Sequence, residues 1–397
     1  MKKRIYISAI CTSPPNSMGG NTKIILELIN NLSDIFNFII FTTQPRTFEL
    51  NIKDTNKIKI IQVISSSKKM NFITFISKTD YVNNYFRDYF SKDKLNKNDY
   101  FISASDFAPD VAPIYNLKKK YEFKWVASLF LFIPNPLENL KKNYQFPFFK
   151  YLIYFFYQRY LFRKILKKSD LFLITNDIDK KYFPSKFHDY ILAIYGGINS
   201  EQIINAKKIS NSKLKYEAVF CSRLHPQKGI NRLLDIWSSV VKKNPDAILA
   251  IIGNGDSKYE KFLKTKAKKL NINRNLIWFG YINNVAKYEI YLKSKIFLHS
   301  TIYDNNGMVA AEALCSGLPV IMYDLETFRD LYNEGCIKSR EGDIKEFASL
   351  IIKMISNNEY YLEVKPDENA IRKFTKFWKW ETRSKIFKDF IDKNLEG

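Results

Sequence analysis

Short, mostly apolar runs recur along this chain, each ending in a polar or glycine-bearing loop and followed by a segment of helical periodicity. In the first half they are Ile5–Cys11, Ile39–Thr43, Ile58–Ile64, Tyr100–Ala104, Trp125–Phe132, Leu171–Thr175 and Ile191–Tyr195. In the second half they are Tyr216–Cys221, Ile248–Ile252, Leu276–Phe279, Ile296–Leu298 and Val320–Met322. Apolar runs of this length read as strands buried on both faces, and the helical segments between them as crossovers of a parallel sheet. A chain of 397 residues has room for two domains of ordinary size, so two such series predict an α/β protein of two Rossmann-like domains.

The stretch Asp304–Val320, DNNGMVAAEALCSGLPV, carries the most chemistry. It reads as a polar loop, a helix opened by Gly307, a stop at Gly317–Leu318–Pro319 and the next strand. The free N–H groups of such a helix, Met308 and Val309 first, suit an anion, phosphate above all. Glu312 lies one turn further on; a carboxylate there repels phosphate and suits hydroxyl groups such as those of a ribose. Asp304 and Glu312 stand eight positions apart, with Gly307 between them and Gly317, Pro319 and Val320 after.

This pattern resembles the donor site of retaining glycosyltransferases of the family 4 type, which have the GT-B fold. Their hallmark is two glutamates at this spacing; here Asp304 takes the first position, one methylene short, and Glu312 the second. Arg223 and Lys228, in the loop after Tyr216–Cys221, match the arginine and lysine that grip the donor diphosphate in the family. Two cations after a strand are also suited, on physical grounds, to neutralising a leaving diphosphate. The glycine pair Gly19–Gly20 after the first strand resembles the family's ligand-facing loop, and a plain turn is an equal reading of it. Gly253 and Gly255 end another strand, and Tyr281–Ile282 stand where relatives place the nucleotide base. The family often has a histidine in the cleft after the strand Trp125–Phe132; Phe130 is nearest to that position, and no histidine occurs between Met1 and Phe187.

The resemblance implies two Rossmann-like domains facing a cleft, with a C-terminal helix crossing back to the first. The expected boundaries are 1–205 for the acceptor-side domain, 214–370 for the donor domain and 371–397 for the last helix; Gly196–Gly197–Ile198–Asn199 resembles the family's glycine-containing link at the end of the first domain, and the polar, lysine-rich Asn205–Lys215 reads as the domain boundary. It further implies transfer of a hexosyl unit from a UDP-sugar or GDP-sugar to a hydroxyl acceptor, a lipid-linked saccharide or glycan precursor, with retained anomeric configuration. No cofactor and no metal are required in that scheme.

Tyr144–Lys168 combines 13 Phe, Tyr, Leu and Ile side chains between Phe146 and Phe162 with six Lys and Arg. The charges exclude an ordinary span, and a basic aromatic helix fits the surface of an anionic bilayer; packing on the first domain with snorkelling cations is the alternative. Residues 146–168 are therefore expected at a membrane surface, and the protein in the cytoplasm, peripheral to the inner face of the membrane. Lys2–Lys3–Arg4 precedes an apolar run too short for a signal peptide, and no run of 18 apolar residues exists. The four scattered cysteines show no metal spacing and fit reduced thiols. The net charge of +23 favours anionic partners, but no nucleic-acid recognition motif accompanies it, so a nucleic-acid-binding protein is the weaker alternative. A nucleotide-sugar-binding or scaffold subunit without activity is the other, favoured by the missing histidine and the shortened Asp304.

Overall fold

The computed structural model describes residues 2–15, 18–63, 72–137, 148–209, 213–282 and 284–395. The chain divides into two compact units. The first comprises Met1–Pro136, Pro147–Gly196 and Trp380–Gly397; the second, among the described residues, comprises Gly197–Lys379 together with Leu137.

The first unit is built on strands β1 (Arg4–Ala9), β2 (Asn37–Thr42), β3 (Ile58–Gln62), β4 (Tyr100–Ser103), β5 (Lys124–Leu129), β6 (Leu171–Ile174) and β7 (Ile191–Ala193). All pair in parallel in the order β3-β2-β1-β4-β5-β6-β7, so the order reverses between β1 and β4. Helices α1 (Gly20–Leu32), α2 (Pro45–Glu49), α3 (Phe72–Lys92), α4 (Ala108–Leu117) and α5 (Phe148–Lys168) connect them. Much of the aromatic content goes into this core: Tyr6 stacks on Phe101 with centroids 5.0 Å apart and meets Phe90 edge-on at 5.2 Å. Helix α3 is absent from the sequence expectations, yet Val82, Phe86 and Phe90 repeat every fourth residue and are buried. The expected strand end at Ile64 lies outside the described residues.

In the second unit β8 (Tyr216–Cys221), β9 (Leu249–Ile252), β10 (Leu276–Gly280), β11 (Ser294–His299), β12 (Val320–Tyr323) and β13 (Cys336–Ser339) pair in parallel in the order β10-β9-β8-β11-β12-β13. Its helices are α6 (Ser200–Ile209), α7 (Ile230–Lys243), α8 (Ser257–Lys269), α9 (Val285–Leu292), α10 (Met308–Ser316), α11 (Ile344–Ser356), α12 (Asn358–Val364) and α13 (Glu368–Trp378). Polar side chains fix several helix starts: Asp256 accepts from the N–H of Lys258 and Tyr259, and Asp343 from that of Glu346. All four residues of β9 are buried, as a strand covered on both faces requires.

Three expectations about boundaries need correction. The chain passes from one unit to the other at Gly196–Gly197, not in Asn205–Lys215, because α6 buries Ile203 and Ala206 and packs against α9 of the second unit. Residues 371–379 stay in the second unit, where Phe374 and Trp378 are buried and α13 lies against α10. The last helix, expected over 371–397, is not one element: Lys379, at φ −59° and ψ 133°, breaks it, and α14 (Trp380–Leu395) alone belongs to the first unit. There α14 packs on α1 and buries Phe387 and Ile391.

Candidate active site

In the second unit the strand order reverses between β8 and β11, so the loops leaving their carboxyl ends diverge and open a crevice, the usual ligand position in such sheets. These two loops hold Arg223, Lys228 and Asp304, and they are fastened to each other. The N–H of Ile302 donates to the Gln227 carbonyl at 3.1 Å, Gln227 Nε2 donates to the Tyr303 carbonyl at 2.7 Å, and Ser300 Oγ donates to the Lys228 carbonyl at 3.1 Å. Gly229 ends the first loop at φ +70°, where a Cβ would sit 1.9 Å from the Ser300 oxygen; only glycine permits so close an approach.

Lys228 Nζ meets Asp304 Oδ2 at 2.5 Å, with both side chains mostly buried. Asp304 Oδ1 accepts the N–H groups of Asn305 at 2.9 Å and Asn306 at 3.3 Å. Burial alone would raise the Asp304 pKa, but the Lys228 ammonium, His299 and the Asn306 N–H outweigh it and hold it at about 2. Arg223 lies beside this pair without a hydrogen bond or salt bridge of its own among the described residues; desolvation lowers its pKa and the Asp304 charge acts against that. His225 caps the turn Pro226–Lys228 through Nδ1, 3.2 Å from the Gln227 N–H. Burial, Arg223 and Lys228 push its pKa down to about 4, so it is neutral at pH 7.

Gly307 starts α10 at φ +61°, and Tyr332 fixes that corner by donating its hydroxyl to the carbonyls of Asn306 and Gly307 at 2.7 and 3.0 Å. Met308 and Val309 follow as the first two helical residues, so their N–H groups lack intrahelical partners. Glu312, one turn in, is held by two side chains that the sequence analysis did not single out. Lys287 Nζ meets its Oε1 at 2.7 Å and the Tyr288 hydroxyl donates to the same oxygen at 3.2 Å. Burial alone would lower the Lys287 pKa, but the Glu312 charge outweighs it and raises it. The other oxygen, Oε2, is buried and has no partner among the described residues. Both charges reach the Cys221 thiol at the end of β8, whose pKa burial pushes to about 11. Asn306 is a third residue without a signal in the sequence: it is buried, and neither its amide nitrogen nor its amide oxygen has a partner among the described residues.

Other expected ligand contacts are placed less directly. Gly253 donates its N–H to the Gly280 carbonyl at 2.7 Å, and Gly255 donates its N–H to Glu260 Oε1 at 2.7 Å, so both N–H groups are already used. At Gly253, φ +136°, a Cβ would lie 1.9 Å from the Ser222 oxygen; tight passage of one strand end past another accounts for this glycine. Tyr281 is exposed and Ile282 half-buried just after β10. Gly19 and Gly20 belong to the first unit, where Gly19 donates its N–H to Ser13 Oγ at 3.0 Å and Gly20 opens α1. No group of three His, Cys, Asp or Glu side chains among the described residues is arranged to hold a metal ion.

Residues 184–373 match the family described as Glycosyl transferases group 1. A Haemophilus influenzae protein named uncharacterized glycosyltransferase is 25% identical over 221 residues, 53% of this chain and 60% of its own. Sucrose-phosphate synthase from Thermosynechococcus elongatus superposes with a TM-score of 0.77 over 99% of both chains at 14% identity. Anabaena Alr3699/HepE, in complex with UDP and glucose, gives 0.71 over 99% of this chain and 100% of its own at 13% identity. The matched stretch spans only 36% to 64% of the length of three curated relatives. At these identities the structural likeness establishes the fold: two Rossmann-like domains of the GT-B type.

Proposed function

We propose that this chain is a group 1 glycosyltransferase that moves a hexosyl unit from a nucleoside-diphosphate sugar to a hydroxyl acceptor. One observation carries the reading: Glu312 Oε2, buried and without a partner among the described residues, lies one turn into a helix whose first N–H groups lack intrahelical partners, in the unit whose β8 and β11 loops carry Arg223, Lys228 and Asp304. A buried ionised acceptor without a donor costs on the order of 1–3 kcal/mol or more, and a ligand hydroxyl would remove that cost. A nucleoside diphosphate offers hydroxyls for Glu312 and anionic oxygens for Arg223, Lys228 and the N–H groups of Met308 and Val309. The family match over residues 184–373 and a structural neighbour bound to UDP and glucose support the same ligand class.

In this reading Glu312 accepts from the ribose, its Oε1 kept in place by Lys287 and Tyr288. Arg223 and Lys228 bind the diphosphate, and Asp304 reaches the sugar. The bond from the anomeric carbon to the β-phosphate oxygen breaks, the acceptor oxygen bonds to the same face, and its proton passes to the departing phosphate oxygen. Lys228 and Arg223 then stabilise charge that grows as the diphosphate leaves, which lowers the barrier rather than only tightening binding. Such a scheme retains configuration and asks for neither an enzyme base nor a metal.

The acceptor is proposed to be a lipid-linked saccharide or surface-glycan precursor, reached from the cytoplasmic face of the membrane. On α5, Ile153, Phe156 and Tyr160 are exposed one turn apart while Leu161, Phe162 and Ile165 are buried. This outward apolar row, with Arg163, Lys164 and Lys167 after it, supports peripheral binding to an anionic bilayer. Phe146 and Pro147 lie outside the described residues. No described helix is long and apolar enough to cross a membrane.

A second reading, a nucleotide-sugar-binding subunit without turnover, draws on the closed Lys228–Asp304 pair, which already engages the cation assigned to the diphosphate. Titration calorimetry with UDP and GDP, followed by donor hydrolysis and transfer assays, separates the readings. Transfer supports the enzyme; stoichiometric binding without turnover on any donor and acceptor lipid supports the binding subunit. Binding of neither nucleotide would refute both. Glu312→Gln should weaken nucleotide binding about tenfold or more, since it removes the charge from the hydroxyl acceptor.

A further inference from the structure

The second unit has another concavity, away from the crevice of β8 and β11. It is a groove of about 400 Å³ between α6, the end of α10 and α13, within the size range of small-molecule sites. Ile203, Ile204, Ile371 and Cys315 give it a predominantly apolar floor. Lys207, Arg372, Lys376 and Lys379 surround that floor, and none of the lining residues is acidic. Lys207, Lys376 and Lys379 make no salt bridge among the described residues, and Arg372 meets only Glu368, distantly, at 3.8 Å, and Asn369 Oδ1 at 2.7 Å. Four cations around a hollow differ from lysines scattered on a convex surface: a single ligand can meet several of them at once.

We infer that this groove binds one acidic phospholipid, its phosphodiester among the four cations and its glycerol and first methylenes on the isoleucine floor. The chemistry selects the occupant by complementarity. A free nucleotide or sugar phosphate would leave the floor without an apolar partner, and a neutral apolar molecule would leave the cations without a counter-charge. The site is separate from α5 and does not depend on the transfer reaction.

Titration calorimetry on the full chain with dihexanoylphosphatidylglycerol, kept monomeric below its micelle concentration, tests the inference. One saturable site is expected, at least tenfold tighter than for dihexanoylphosphatidylcholine, undisturbed by saturating UDP and without measurable binding of glycerol 3-phosphate. Lys376→Glu combined with Lys379→Glu should weaken it at least tenfold, and so should Ile204→Asp at an exposed floor position. Ile153→Asp with Phe156→Asp on α5 should leave it unchanged. Circular dichroism melting identifies variants that are folded, and Ile204→Asp serves if the charge reversals are not. Equal binding of the two lipids, equal binding of glycerol 3-phosphate, competition by UDP, no saturable site, or unaltered affinity in folded groove variants would each overturn the assignment.

Discussion

Replacing Lys287 with Met should destabilise the second unit by about 3 kcal/mol, although no sequence motif marks this lysine. Its ammonium is 2.7 Å from Glu312 Oε1, and the side chains are only 12% and 15% exposed. After the change the carboxylate keeps, among the described residues, one hydroxyl donor, Tyr288, on one oxygen and none on the other. Breaking a buried ion pair on one side costs about 3–5 kcal/mol because a charge is left uncompensated; the residual exposure places this pair at the lower end. For a unit of this size each kcal/mol moves the midpoint by about 2–4 °C, so a fall of about 6–12 °C is expected. Differential scanning calorimetry should resolve it as a shift of one transition. Adding Glu312→Gln to Lys287→Met removes the stranded charge and should recover most of the loss. A shift below about 2 °C, or a double variant melting no higher than Lys287→Met alone, would refute the claim that this pair secures α9 to α10.

Lys228→Ala should reduce turnover roughly a hundredfold, about 3 kcal/mol, while weakening donor binding less; equal losses in steady-state kinetics and calorimetry would argue against a role in the departing charge. Asp304 is held at about 2, below the ordinary 3.8, so it contributes roughly 2 kcal/mol above about pH 4 that is lost as pH falls towards 2; Asp304→Asn should flatten that part of an acid-unfolding curve. Asp110 has the opposite sign. Burial raises it to about 7 despite accepting from Ser105 Oγ and from the N–H groups of Ile10 and Cys11, so its contribution is complete below about pH 4 and lost as pH rises through 7. Asp110→Asn can keep all three contacts and should melt higher than wild type at pH 8 but not at pH 4. Changing Ile153, Phe156 and Tyr160 to Ser should sharply reduce flotation with phosphatidylglycerol vesicles at low salt; flotation equal to wild type would argue against the exposed row of α5 as a membrane contact.

The loop and helix positions of Arg223, Lys228, Asp304 and Glu312 were legible because each lies at a fixed offset from a strand end or a helix start, and local spacing survives in a sequence. The Lys287–Glu312 pair was not, because it joins two helices through packing and leaves no pattern in the residues between them. The same distinction explains the boundary. Asn205–Lys215 looks like a linker by its lysines, but Lys207 and Lys208 occupy the exposed side of α6 while Ile203 and Ala206 face inward. The real crossing, Gly196–Gly197, is marked not by a polar run but by the glycine pair that resembles the family's link at the end of the first domain. Strand β13, CIKS, is too short and too mixed to give a period of two. The glycines at 253 and 255 were legible as special positions, but the partners of their N–H groups were not: the Gly280 carbonyl at the end of β10 for Gly253 and the Glu260 carboxylate of α8 for Gly255.

The N–H of Ile198 donates to the Trp378 carbonyl at 2.7 Å, and Ile198 pairs with Lys379 as an isolated parallel bridge. The points where the chain enters and leaves the second unit therefore lie side by side, about 5 Å apart. In topological terms Gly197–Lys379 is an insertion with adjoining ends. The interrupted unit pays in time, because α14, which buries Phe387 and Ile391 against its sheet-and-helix core, is translated only after the whole insertion. At ordinary ribosomal speed that delay is roughly 10–40 s, during which the landing surface on α1 stands uncovered. A nascent chain of this protein should thus engage a holdase chaperone through α1 until α14 arrives, and a bridge of two glycines from Gly196 to Trp380 should remove the delay.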